Sequence, residues 1–116
     1  MRQAKGGARS TSALLARPRR RPQAAIRVSI APGLGELAAA IERRSLEFEV
    51  VPLEQPAEGL FVTIEVHQDG RELAVVRLKG LGVTGSIPLS VPLHEPRCGA
   101  PGVLRVRSNA ALRLIF

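Results

Sequence analysis

The sequence predicts an all-β protein: one antiparallel β-sandwich or jelly-roll-like domain of about seven strands, preceded by a disordered basic arm. Three observations carry that expectation. Apolar and polar residues alternate with period two in successive short runs from residue 25 to the end. Gly, Pro, Asn and Asp interrupt those runs at roughly ten-residue spacing. The apolar residues are aliphatic, with only Phe48, Phe61 and Phe116 as aromatics and no Trp or Tyr, so Val, Leu and Ile must fill the core.

Charge separates the arm from the domain. Met1 to Gly35 contains eight Lys and Arg and no acid, whereas the rest of the chain holds nine Lys and Arg against ten Asp and Glu. The net charge of +7 therefore belongs to the leader. Residues 1–23 mix Gly, Ala, Ser, Pro and Arg without hydrophobic periodicity, so burial cannot offset their ordering entropy and disorder is expected. Residues 24–116 are left for a single folding unit, enough for a modest core.

The elements follow in order. Ala25 to Ile30 alternates and reads as a first strand, stopped by Ala31-Pro32-Gly33. Leu37, Ala38 and Ile41 fall at helical spacing, with Glu36 in the first turn and Arg43-Arg44 in the last. This predicts a short helix over residues 35–44, although a strand also fits. Leu46 to Val50 points Leu46, Phe48 and Val50 inward and Glu47 and Glu49 to water. Phe61 to Val66 leads into Glu72 to Lys79 as a hairpin. A three-residue Gln68-Asp69-Gly70 loop is expected there, placing Ile64 opposite Ala74 and Val62 opposite Val76, because a two-residue loop sets Val62 against Arg77. Ile87, Leu89 and Val91 share one face of a strand that Pro88 makes either an edge strand or an irregular one. Val103 to Arg107 and Ala111 to Phe116 are expected to close the domain as a hairpin across Ser108-Asn109-Ala110. This plan is similar to small jelly-roll and sandwich accessory domains, a likeness of architecture without a shared motif.

Sites of chemistry are sparse. Gly80-Leu81-Gly82-Val83-Thr84-Gly85 matches G-x-G-x-x-G, but Pro88, Pro92 and the alternating residues after it exclude the helix a dinucleotide site needs, so a Gly-rich turn and no cofactor are expected. His67 and His94 lack a clustered carboxylate or thiolate at ligand spacing and read as solvated loop residues rather than metal ligands. The single cysteine, Cys98, excludes an intramolecular disulfide, and its neighbour Arg97 offers a route to a reactive thiolate. No pattern marks a nucleophile with its base, so no enzyme is expected. No apolar run approaches the roughly 18 residues that span a bilayer and no secretory signal is evident, which predicts a cytoplasmic protein.

Two basic features remain. Arg17, Arg19, Arg20 and Arg21 on a flexible arm can neutralise phosphates and release counterions, although no aromatic residue accompanies them. Arg105, Arg107 and Arg113, alternating with core residues on the expected closing hairpin, should share a solvent face and form a basic patch with Arg77 and Lys79. The competing reading is a solvated face balanced by Glu47, Glu49 and Glu65. The expected function is a non-catalytic binding or assembly module that meets another protein or an acidic polymer, with strand edges available for oligomerisation. The alternative is a nucleic-acid-associated protein acting through the arm.

Overall fold

The computed structural model describes residues 26–80 and 85–116. The Arg17 to Arg21 cluster and Leu81 to Thr84 of the Gly-rich segment lie outside them. The described residues form eight strands: β1 (Arg27–Ile30), β2 (Gly33–Ile41), β3 (Ser45–Pro52), β4 (Leu60–Gln68), β5 (Arg71–Gly80), β6 (Ile87–Pro92), β7 (Ala100–Ser108) and β8 (Leu112–Ile115). They pair into two four-stranded antiparallel sheets, ordered β1-β8-β3-β6 and β2-β7-β4-β5. The sheets pack face to face as the expected β-sandwich. Its aliphatic centre includes Val50, Ile64, Val66, Leu104, Val106 and Leu114, each with no solvent exposure. Phe48 and Phe116 stack at 5.3 Å between ring centroids and supply the aromatic part of the core.

Residues 33–41 form a strand, not the predicted helix. Gly35, Leu37, Ala39 and Ile41 turn inward while Leu34, Glu36, Ala38 and Ala40 face out, a period of two along the whole segment. Nine consecutive positions pair with β7, from Gly33 opposite Ser108 to Ile41 opposite Ala100. Alanine fits either geometry, and long-range pairing outweighs its local helical preference. Gly102, opposite Ala39, lets the backbones come together: a Cβ there would collide with the Ile41 side chain and lie 2.8 Å from the His67 carbonyl oxygen.

The β4–β5 hairpin also departs from expectation. Gln68 pairs with Arg71, so the loop is the two residues Asp69 and Gly70, with φ of 56° and 75° as a primed turn requires. The pairing of Val62 with Arg77 that a two-residue loop would set is avoided by a bulge after Val66. Leu73 becomes an extra, buried residue on β5, and Val62 then stands opposite Leu78, and Ile64 opposite Val76.

β7 and β8 do not form a hairpin. β7 lies between β2 and β4 in one sheet, β8 between β1 and β3 in the other. Asn109 fixes this crossing. Its Oδ1 accepts the Phe61 N–H at 2.9 Å, its Nδ2 donates to the Gly59 carbonyl at 2.8 Å, and its own N–H donates to the Phe61 carbonyl at 3.2 Å. The corner is thereby tied to the start of β4. Ser108 turns its hydroxyl into the same corner, bonded to both backbone groups of Ala110.

Candidate basic sheet face

The crossing separates the residues expected to form one patch. Arg105 and Arg107 on β7, with Arg77 and Lys79 on β5, lie on the outer face of the β2-β7-β4-β5 sheet. Arg113 on β8 faces outward from the other sheet, opposite Ser29 and Val51. Expecting Arg113 in that patch was an error of sheet assignment, since alternation gives a residue's side of its strand and not the sheet it joins.

Register divides the remaining four cations. One row across the sheet runs Glu36, Arg105, Glu65, Val75. Arg105 is there held between carboxylates, its Nε 2.9 Å from Glu36 Oε2 and its Nη1 4.0 Å from Glu65 Oε1. The next row runs Leu34, Arg107, Thr63, Arg77, and beyond it Phe61 stands opposite Lys79. Arg77, Lys79 and Arg107 are exposed, and among the described residues no carboxylate forms an ion pair with them. The Phe61 ring is 42% exposed, with the Lys79 ammonium 5.8 Å from its centroid. One end of the face is therefore cationic and carries a flat apolar surface, while its middle is neutralised.

At the opposite end of this face, beyond the Arg105 row, sits a group that sequence spacing missed. His67 is a half-buried residue of β4, not a loop residue, and its Nε2 lies 2.8 Å from Glu65 Oε1. Glu72, paired with His67 across the hairpin, brings a third ligand-type atom, and the three lie within 4.8 Å of one another. The signal was present as Glu65 and His67 two apart on one strand face, but Glu72 comes opposite His67 only through the two-residue Asp69-Gly70 turn, where a three-residue loop sets it against Val66. The hydrogen bond with His67 is the main cause holding the Glu65 carboxyl below its ordinary range, with Arg105 and Arg107 adding to it. The same oxygen thus already faces a histidine and a guanidinium. The group can offer a divalent cation one imidazole and two carboxylates.

The other singled-out residues are structural or solvated. His94 and Cys98 are exposed in the β6–β7 loop. The Arg97 guanidinium is committed to Asp69 by two bonds of 2.9 Å, which hold the Asp69 carboxyl low and the Arg97 pKa high. Buried Gln68 anchors the loop, donating to the Arg97 and Ala100 carbonyls and accepting the Arg97 N–H at 2.7 Å. Among the described residues no helix is long and apolar enough to cross a membrane. No protein-family model, curated protein or solved structure matches the chain.

Proposed function

We propose that the protein is a non-catalytic binding module that engages an acidic polymer through the basic end of its β2-β7-β4-β5 face. The observation that carries this reading is the set Arg77, Lys79 and Arg107, exposed beside Phe61 and unpaired with any described carboxylate, on the sheet where Arg105 is neutralised by Glu36 and Glu65. Guanidinium groups are planar forks that suit phosphate or carboxylate oxygens, and a rigid sheet holds them at fixed spacing. The Phe61 ring adds an apolar surface for the non-charged part of such a polymer. Arg17, Arg19, Arg20 and Arg21 add affinity of a different kind, sequence-independent and strongly dependent on salt.

The two contributions separate on deletion. Full-length chain and a chain starting at Ala24 are titrated with a fluorescent single-stranded oligonucleotide at low and moderate salt. The shortened chain is expected to retain measurable binding, weaker and with a shallower salt dependence. Complete loss of binding on deletion assigns polymer recognition to the arm and overturns the role of the sheet face.

A further inference from the structure

The sandwich has four edge strands, and three of them carry features that discourage a further strand. β1 is only four residues long. β6 contains Pro88 and Pro92. β5 is bulged at Leu73 and bears Arg71, Glu72, Arg77 and Lys79. β2 has none of these. It runs for nine residues in unbroken register with β7, lacks Pro and Lys, and carries one charge, Glu36, already paired with Arg105. Its free edge has no strand partner among the described residues. Alongside it lies an apolar groove of about 340 Å³ that opens between the sheets, with Val28, Leu37, Ala39, Leu46 and Phe116 in its lining.

We infer that the β2 edge pairs antiparallel with β2 of a second copy of this chain, joining the two β2-β7-β4-β5 sheets into one eight-stranded sheet about a two-fold axis at Ala38. The strand's own pattern selects that occupant and that register. Residues directly opposite must share a face, which permits an axis only through a residue and not between two. An axis at Ala39 sets Glu36 against Glu42 of the second copy, placing like charges together. An axis at Leu37 sets leucine against leucine, leaves Ala39 facing Gly35, and brings the two Glu36 side chains to diagonal positions. At Ala38, Leu37 faces Ala39 of the second copy over the groove, large against small, and Glu36 faces Ala40. The two Glu36 groups are then four positions apart. Two basic ends, one per copy, lie on the same side of the joined sheet, so the dimer is bivalent for a polymer.

The test uses the full chain carrying Cys98→Ser. Sedimentation or light scattering across micromolar concentrations is expected to give twice the 12.4 kDa chain mass. Adding Ala38→Cys is expected to yield a covalent dimer on mild oxidation, because residues directly opposite in an antiparallel pair lie within disulfide reach, whereas Leu34→Cys stays largely uncrosslinked. Ala38→Lys, an outward substitution that brings two ammonium groups together on the axis, is expected to weaken dimerisation at least tenfold while leaving the circular dichroism spectrum intact. A full-length chain that stays monomeric throughout, or a dimer that Ala38→Cys does not crosslink and Ala38→Lys does not weaken, overturns the inference.

Discussion

The two outer faces of the sandwich are built from the same kind of strand and differ in how their charges are distributed. On the β1-β8-β3-β6 sheet, Arg27 and Arg113 are accompanied by Glu47 and Glu49, with no cationic cluster among the described residues. On the β2-β7-β4-β5 sheet, the acids Glu36 and Glu65 both attach to Arg105, leaving Arg77, Lys79 and Arg107 together at one end. Near-neutral domain charge therefore conceals a local positive field. What concentrates it is cross-strand register, which sets Glu36 and Glu65 on a single arginine and leaves Glu72 at the far end with His67.

That comparison breaks if the register of β7 is disturbed. Gly102→Ala forces a Cβ into the Ile41 side chain and toward the His67 carbonyl, so overpacking is expected to cost about 1–3 kcal/mol in urea or thermal unfolding. Polymer affinity of the surviving folded fraction should fall as Arg105 and Arg107 shift against β4. Gln68→Ala follows, at about 1–3 kcal/mol, because it strips partners from the Arg97 N–H and from the Arg97 and Ala100 carbonyls. Asn109→Ala removes the two side-chain bonds that help tie the sheet-switching corner to Phe61 and Gly59, with an expected cost of about 1–2 kcal/mol. Its unfolding midpoint should drop without a change in far-ultraviolet circular dichroism.

The smallest expected effect is on pH dependence. Glu65 is held below its ordinary value of 4.5, chiefly by His67, so the folded state binds this proton less readily than the unfolded chain. The resulting stabilisation is present above pH 4.5 and is lost as pH falls through the depressed folded value. Glu65→Gln is expected to flatten that part of the stability curve, measured by thermal unfolding between pH 3 and 6. The same variant frees Arg105 from one acid and should slightly raise polymer affinity.

The legible and illegible parts of the fold divide along the same line as local and non-local order. Period-two alternation in Leu46 to Val50, Phe61 to Val66 and Ile87 to Val91 correctly gave strands and their inward faces, and Pro88 correctly marked an edge. Gly33 to Ile41 was ambiguous because Leu37, Ala39 and Ile41 fit a strand as well as Leu37, Ala38 and Ile41 fit a helix. Its resolution depends on β7, some sixty residues away. The closing hairpin failed for the same reason: Asn109 looks like a turn residue, and only its bonds to Phe61 and Gly59 show the chain changing sheets. Of the candidate patch, the outward direction of Arg77, Lys79, Arg105 and Arg107 was readable from alternation. The neutralisation of Arg105 is not, since its partner Glu36 lies in the segment whose spacing also fits a helix.

The most direct test exchanges charge on one face at a time. In the chain starting at Ala24, Arg77→Glu, Lys79→Glu and Arg107→Glu together are compared with Arg27→Glu and Arg113→Glu together, and binding to a single-stranded oligonucleotide is titrated at several salt concentrations. The first set is expected to abolish measurable affinity and its salt dependence, while the second leaves the salt slope close to that of the unsubstituted chain. Losses from the two sets in proportion to their three and two reversed charges would show that only overall charge matters and would contradict a dedicated basic face.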